Sequence, residues 1–146
     1  MRLKAIETYT EVFKNAAFIG AKIVIVHPSS EPISDEERPA YISRSKESLK
    51  VLAERAAQYG ITIAVEDLPR TCLGNTAEEL GDIISVDERI RICFDVNHLL
   101  KQTHRHFIEV IGDKIATLHI SDYDFVDERH QLPGNGKIDW KELLDL

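Results

Sequence analysis

Four short apolar runs punctuate the chain, and each ends on a residue able to bind a metal or move a proton. KIVIV ends at His27, ITIAV at Glu66, the run from Arg89 to Phe94 at Asp95, and the run from Lys114 to Leu118 at His119. β-Branched residues recur in these runs, the pattern of strands buried on both faces of a parallel sheet. Between them the apolar spacing changes to that of a helix. Ile6, Tyr9, Phe13, Ala16 and Ala17 share one face of a predicted helix over 3–19, stopped by Gly20. Ser34 and Glu37 have capping-box spacing and open a second helix that runs to about Tyr59, with Ile42, Leu49, Leu52, Ala53 and Ala56 as its buried stripe. Asn75 or Thr76 caps a short helix through Ser85, and a further helix covers roughly Thr103 to Ile111. Asp139 and Glu142 repeat the capping spacing and start a last helix.

Strands alternating with helices imply parallel strands joined by right-handed crossovers, hence an α/β fold with about four parallel strands over a single domain, 1–146. Parallel strands all point the same way, so their carboxyl ends gather at one face of the sheet. His27, Glu66, Asp95 and His119 are therefore expected to meet, although the chain separates them widely.

Composition narrows the function classes. At 146 residues the chain is long enough for one core, and it has no apolar run of membrane-spanning length. Its opening, MRLKAIETYT, lacks the apolar centre of a signal peptide. Cys72 and Cys93 are the two cysteines and form no disulfide framework, so a reduced, cytoplasmic setting is the expectation. A formal net charge of −7 disfavours a non-specific binder of nucleic-acid phosphates and suits divalent cations or small neutral ligands better.

Two imidazoles and two carboxylates form a donor set for a first-row divalent ion, Mn²⁺, Co²⁺, Zn²⁺ or Fe²⁺, with Mg²⁺ less favoured by the nitrogen ligands. A shared cation also offsets the cost of burying the carboxylates. Any one polar residue after a strand is ordinarily a turn or cap residue; four in succession, all of ligand type, indicate a site. The same weighing leaves His98 as either a site residue or a helix cap. His104 and His106 read as ordinary helix residues, both cysteines as inert, and Pro133-Gly134-Asn135-Gly136 as a turn without P-loop spacing.

Taken in order, these motifs resemble the xylose isomerase-like TIM-barrel superfamily, which includes sugar (phosphate) isomerases and epimerases and endonuclease IV-type enzymes. The carriers are His27-Pro28, Glu66 followed by Asn75-Thr76-Ala77-Glu78, Asp95-x-x-His98 and His119-x-x-Asp122. To these is added Asp127-Glu128-Arg129-His130-x-x-Pro133-Gly134-x-Gly136-x-Ile138-Asp139-Trp140. The resemblance implies a partial (β/α)8 barrel in which Glu66, Asp95 and His119 bind one divalent metal. It implies that Glu66, paired with a second glutamate on a later strand, moves a proton beside the substrate carbonyl through a metal-bound enediolate. It also implies that His98 and His130 contact substrate hydroxyls, that His27 lines the pocket, and that Arg129 assists. In the endonuclease-like branch the matching ligands are His27, Glu66, Asp95, His98, His119, Glu128 and His130, in a multi-metal hydrolase.

A closed barrel has eight strands and ~250 residues, and this chain contains four strand signals. The strand expected to carry the second glutamate is not among them. The expectation is a metal-dependent sugar or sugar-phosphate isomerase or epimerase; the alternatives are an inactive half-barrel remnant or sugar-binding module, and an endonuclease-like metallo-hydrolase. KIVIV and KIATL, as edge strands, would leave backbone unpaired, so self-association is expected as well.

Overall fold

A computed structural model describes residues 2–146. Its elements follow the alternation of the sequence: α1 (Arg2–Phe18), β1 (Ile23–Val26), α2 (Arg38–Ala57), β2 (Thr62–Glu66), α3 (Ala77–Ile84), β3 (Arg91–Asp95), α4 (His104–Ile111), a 3₁₀ turn at Gly112–Lys114, β4 (Ile115–His119) and α5 (Trp140–Leu144). The four strands form one parallel sheet in the order β1-β2-β3-β4. Sequential order with crossovers of one hand places the connecting helices on one side of the sheet, where α1, α2, α3 and α4 pack as successive neighbours. This is the partial α/β barrel expected from the sequence.

The two sides of the strands differ in task. Val65, Ile92 and Phe94 are buried toward the helices, and Phe94 stacks on Phe107 of α4 at 4.5 Å between ring centroids. Phe13, Leu49, Leu52, Leu80 and Ile83 complete the helix side of that core. The alternate residues, including Ile25, Ala64, Cys93 and Thr117, face the other way and share the register that carries the strand-end polar groups. Ala64 pairs with Arg91 and Glu66 with Cys93, whereas Asp95 pairs with His119. The sheet is therefore stepped, with Asp95 and His119 one pleat above Glu66.

Element boundaries differ from the sequence reading by a few residues at several points. The Ser34–Glu37 capping pair forms, with Glu37 N–H donating to Ser34 Oγ at 3.3 Å and Ser34 Oγ donating to Glu37 at 2.8 Å. The helix nevertheless starts at Arg38, because Pro39 suits a first turn where no N–H is needed. β3 starts at Arg91 rather than Arg89, since Asp87 captures the Arg89 N–H and guanidinium in a turn. Thr76, not Asn75, caps α3. No helix among the described residues is long and apolar enough to cross a membrane.

Candidate metal and sugar site

The carboxyl ends of the four strands converge on Glu66. Its Oε2 lies 2.9 Å from His27 Nε2 and its Oε1 2.9 Å from His119 Nδ1. His119 Nδ1 is also 3.6 Å from Asp95 Oδ2, so two strand-end imidazoles and two strand-end carboxylates form one cluster. Glu66 and Asp95 are buried, while the side chains of His27 and His119 remain 62% and 43% exposed. The carboxylates thus form the floor and the imidazoles the open wall of a cleft of ≈ 470 Å³, which His98, Glu128 and His130 also line.

A second carboxylate layer supports the floor. Asp67 is fully buried and accepts the Asp95 N–H at 2.7 Å, and Asp95 Oδ1 accepts the Asn97 N–H at 2.9 Å. Burial drives the Asp67 carboxyl well above the usual carboxylate range, and Asp95 and Glu66 add to the rise. Burial likewise raises Asp95, against the opposing pull of His98. Asp67 Oδ2 has no hydrogen-bond partner among the described residues. Buried carboxyl groups that repel one another form an electrostatic environment that a divalent cation beside Glu66 and Asp95 would relieve. Glu66, Asp95 and His98 bring donor atoms within 4.8 Å of one another, as do Glu66, Cys93 and His119. The carboxylates and imidazoles fit a borderline divalent ion. Cys93 is a poorer donor, because burial pushes its thiol up to about 12.

His98 does not cap a helix. Its Nδ1 lies 2.7 Å from the Asp67 carbonyl, so Nδ1 carries a proton and donates it. Nε2 is left facing Glu128 Oε2 at 3.2 Å and Asp95 Oδ2 at 3.6 Å. His130, at φ +48°, stands on the rim with Nε2 3.8 Å from Glu128 Oε2, and these three residues form a second group of metal-capable donors. Arg129 turns elsewhere: its guanidinium pairs with Asp124 at 3.0 Å and does not line the cleft. His104 is tied to the Val96 carbonyl and His106 to Glu78, both outside the cleft. Cys72 and Cys93 are buried and unbridged.

Two residues that the sequence reading did not single out hold the cleft in shape. Arg70, in the left-handed region at φ +53°, donates to Glu128 at 2.6 Å, to Asp127 at 3.0 Å and to Glu31 at 3.3 Å, joining the loops after β1, β2 and β4. Buried Asn75 locks this bend by donating to the Arg70 carbonyl at 2.7 Å. Asn97, also fully buried, joins the turn after β3 to the loop after β4. The sequence signal for each was a polar residue in a turn, which does not reveal a partner distant in the chain.

Asp122 organises the loop that carries Glu128 and His130. Its Oδ1 accepts the N–H groups of Tyr123 and Ile138, and its Oδ2 accepts the Gly134 N–H and the Trp140 indole N–H, all within 3.1 Å. Gly136 lies flat against this hub: a Cβ there would collide with Asp122 Oδ1 and fall 2.5 Å from the Tyr123 carbonyl oxygen. The Pro-Gly-Asn-Gly stretch therefore serves a carboxylate of its own chain.

Comparison with known proteins agrees with this architecture. The xylose isomerase-like TIM-barrel family matches residues 1–146. An uncharacterized Methanocaldococcus jannaschii protein is 29% identical over 157 aligned residues, covering 99% of this chain and 53% of the relative. A D-tagatose 3-epimerase-like protein of known structure superposes with a TM-score of 0.88 at 27% identity, over 99% of this chain and 57% of that one. The IolI protein, crystallised with a zinc atom, superposes with a TM-score of 0.78 at 24% identity, over 96% of this chain and 54% of its own. The chain thus spans about half the length of the relatives it matches. With the strand-end residues converging on this scaffold, the protein belongs to the xylose isomerase-like TIM-barrel family.

Proposed function

We propose that the protein is a divalent-metal-dependent isomerase or epimerase of a small sugar or sugar phosphate, working by proton transfer beside a carbonyl through an enediolate. The observation that carries this reading is the buried Glu66 carboxylate held at 2.9 Å by two imidazoles, with Asp95 alongside, at the floor of an open cleft. Glu66, Asp95 and His119 would hold the ion, which when bound polarises substrate oxygens as a Lewis acid. Glu66 is also placed to take up or return the proton, because it faces the cleft and its neighbouring imidazoles fix its orientation. His27, His98 and His130 line the cleft where sugar hydroxyls would lie. The similarity to a D-tagatose 3-epimerase-like protein favours a ketose substrate.

The open edges of β1 and β4 bear on assembly. Both are parallel edges of one sheet, so β4 of one copy can continue into β1 of the next without reversing strand direction. We propose that a second copy pairs there. A monomeric mass by analytical ultracentrifugation would overturn that.

The first test of function is elemental mass spectrometry on the dialysed protein. About one Mn, Co, Zn or Fe per chain is expected, with loss of the ion in Asp95→Ala and retention of the fold by circular dichroism. Epimerisation would then be followed by NMR across a panel of ketoses and their phosphates. An ion-free protein, or one whose ion survives both Asp95→Ala and Glu66→Gln, would refute the reading.

A further inference from the structure

Asn97 is fully buried beneath the rim of the cleft, two residues after Asp95. Its carboxamide has two chemically distinct ends, and a backbone group decides which way they face. The Arg129 N–H lies 3.2 Å from one end and can only donate, so that end is the carbonyl oxygen, Oδ1. The other end, Nδ2, can only donate, and it lies 3.2 Å from His130 Nδ1. Nδ1 must therefore present its lone pair. In a neutral imidazole the proton then resides on Nε2, the nitrogen that faces Glu128 and the cleft.

We infer that Asn97 is a specificity-determining positioning residue, fixing His130 as a hydrogen-bond donor to a substrate oxygen and withholding it from service as a metal ligand. A nitrogen that carries a proton has no lone pair for a cation. The group His98–Glu128–His130, although compact enough to hold an ion, is thus one ligand short while Asn97 stays in place. The cleft is set for one ion at the strand ends, with an Nε2–H donor opposite it. The substrate part of the inference rests on the proposed sugar chemistry; the proton assignment rests on the carboxamide geometry alone.

Long-range ¹H–¹⁵N correlation spectra test the assignment directly, recorded at alkaline pH where the spectra themselves show the imidazole to be neutral. In the wild-type protein the His130 Nδ1 resonance is expected at the unprotonated position and Nε2 at the protonated one. The reverse pattern would overturn the inference. In Asn97→Asp a carboxylate oxygen replaces the amide donor, so the proton moves to Nδ1 and Nε2 is freed. Zn²⁺ alone, titrated by calorimetry, is then expected to occupy one site per wild-type chain and two per Asn97→Asp chain, the second at least tenfold tighter than any second event in the wild type. A second Zn²⁺ on the wild type that disappears in His130→Ala would also overturn the inference. Should Asn97→Asp fail to fold, the wild-type spectrum still decides. A wild type showing the expected tautomer but retaining no ion would refute the proposed function while leaving the Asn97 assignment intact.

Discussion

Replacing Asp122 by Asn removes one carboxylate oxygen from the loop hub and little else in volume. Each oxygen accepts two hydrogen bonds, Oδ1 from Tyr123 and Ile138, Oδ2 from Gly134 and Trp140. The new amide group would turn an NH₂ toward two donors whichever way it is flipped, the buried Tyr123 and Ile138 N–H groups on one side or the part-exposed Gly134 N–H and Trp140 indole on the other. Leaving a buried donor unmatched costs about 1–3 kcal/mol, so the buried pair sets a range of roughly 2–6 kcal/mol, and an amide flipped toward the part-exposed pair falls at its low end. Proton linkage gives a second route to the magnitude. Burial alone would raise Asp122, but the Trp140 indole and the Ile138 and Gly134 N–H groups outweigh it and hold the carboxyl at about 2. Against ~3.9 in the unfolded chain, that depression is worth roughly 2–3 kcal/mol. Because the folded value is depressed, the contribution is complete above pH ~4 and is lost as pH falls toward ~2. Trp140, the single tryptophan, donates to Asp122 and so reports on the loop itself. Urea unfolding followed by Trp140 fluorescence should show a deficit of about 2–6 kcal/mol in Asp122→Asn at neutral pH. That gap should narrow between pH ~4 and ~2. A variant within 0.5 kcal/mol of wild type, with unchanged Trp140 emission, would refute the role given to this carboxylate.

Gly136→Ala should cost about 3 kcal/mol or more, because the added methyl meets the Tyr123 backbone at 2.5 and 2.6 Å and the hub must shift; an unchanged melting temperature would contradict that. Phe107→Ala should cost about 3–5 kcal/mol through loss of its stacking on Phe94 while leaving the bound-ion content per folded chain unchanged, measured by calorimetry beside elemental analysis. Arg70→Met should change global stability by about 1 kcal/mol, since the guanidinium is partly solvated. Its clearer signature is faster amide exchange over Asp127 to His130, which Arg70→Lys should not restore, because a single ammonium cannot span three carboxylates as the fork does.

The sequence revealed the strand ends most clearly because two independent patterns coincide there. Each buried strand is a continuous apolar run, and each run stops at a residue that is expensive to bury without a partner. That made the geometric convergence of Glu66, Asp95 and His119 legible without a structure, and the parallel order followed from the alternation with helices. Hydrogen bonds between loops were not legible. Arg70 finds Glu31 and Asp127 across gaps that no local pattern spans, and Asn75 looked like a helix cap when its partner is the Arg70 carbonyl. Asp122 was visible as part of a motif, but its four donors come from both ends of a loop whose path the sequence left undefined. Arg129 was placed with the substrate residues by its neighbours in the motif; in the fold it is the Arg129 backbone, through Asn97, that bears on the cleft, while its charge belongs to Asp124.

The opposed sides of each strand divide mutational consequence at single-residue spacing. Phe94 belongs to the stability of the molecule and Asp95 to the proposed site, although they are adjacent in the chain. Deleting one residue within β3 would turn the aromatic ring into the cleft and the carboxylate against α4, losing both at once. Evolution of the strands is thereby confined to substitution, position by alternate position, whereas length variation is absorbed elsewhere. Homologues should align without gaps through β2, β3 and β4 and differ in length mainly in the loops that follow them, so that substrate preference can diversify while the residues at the strand ends stay in phase.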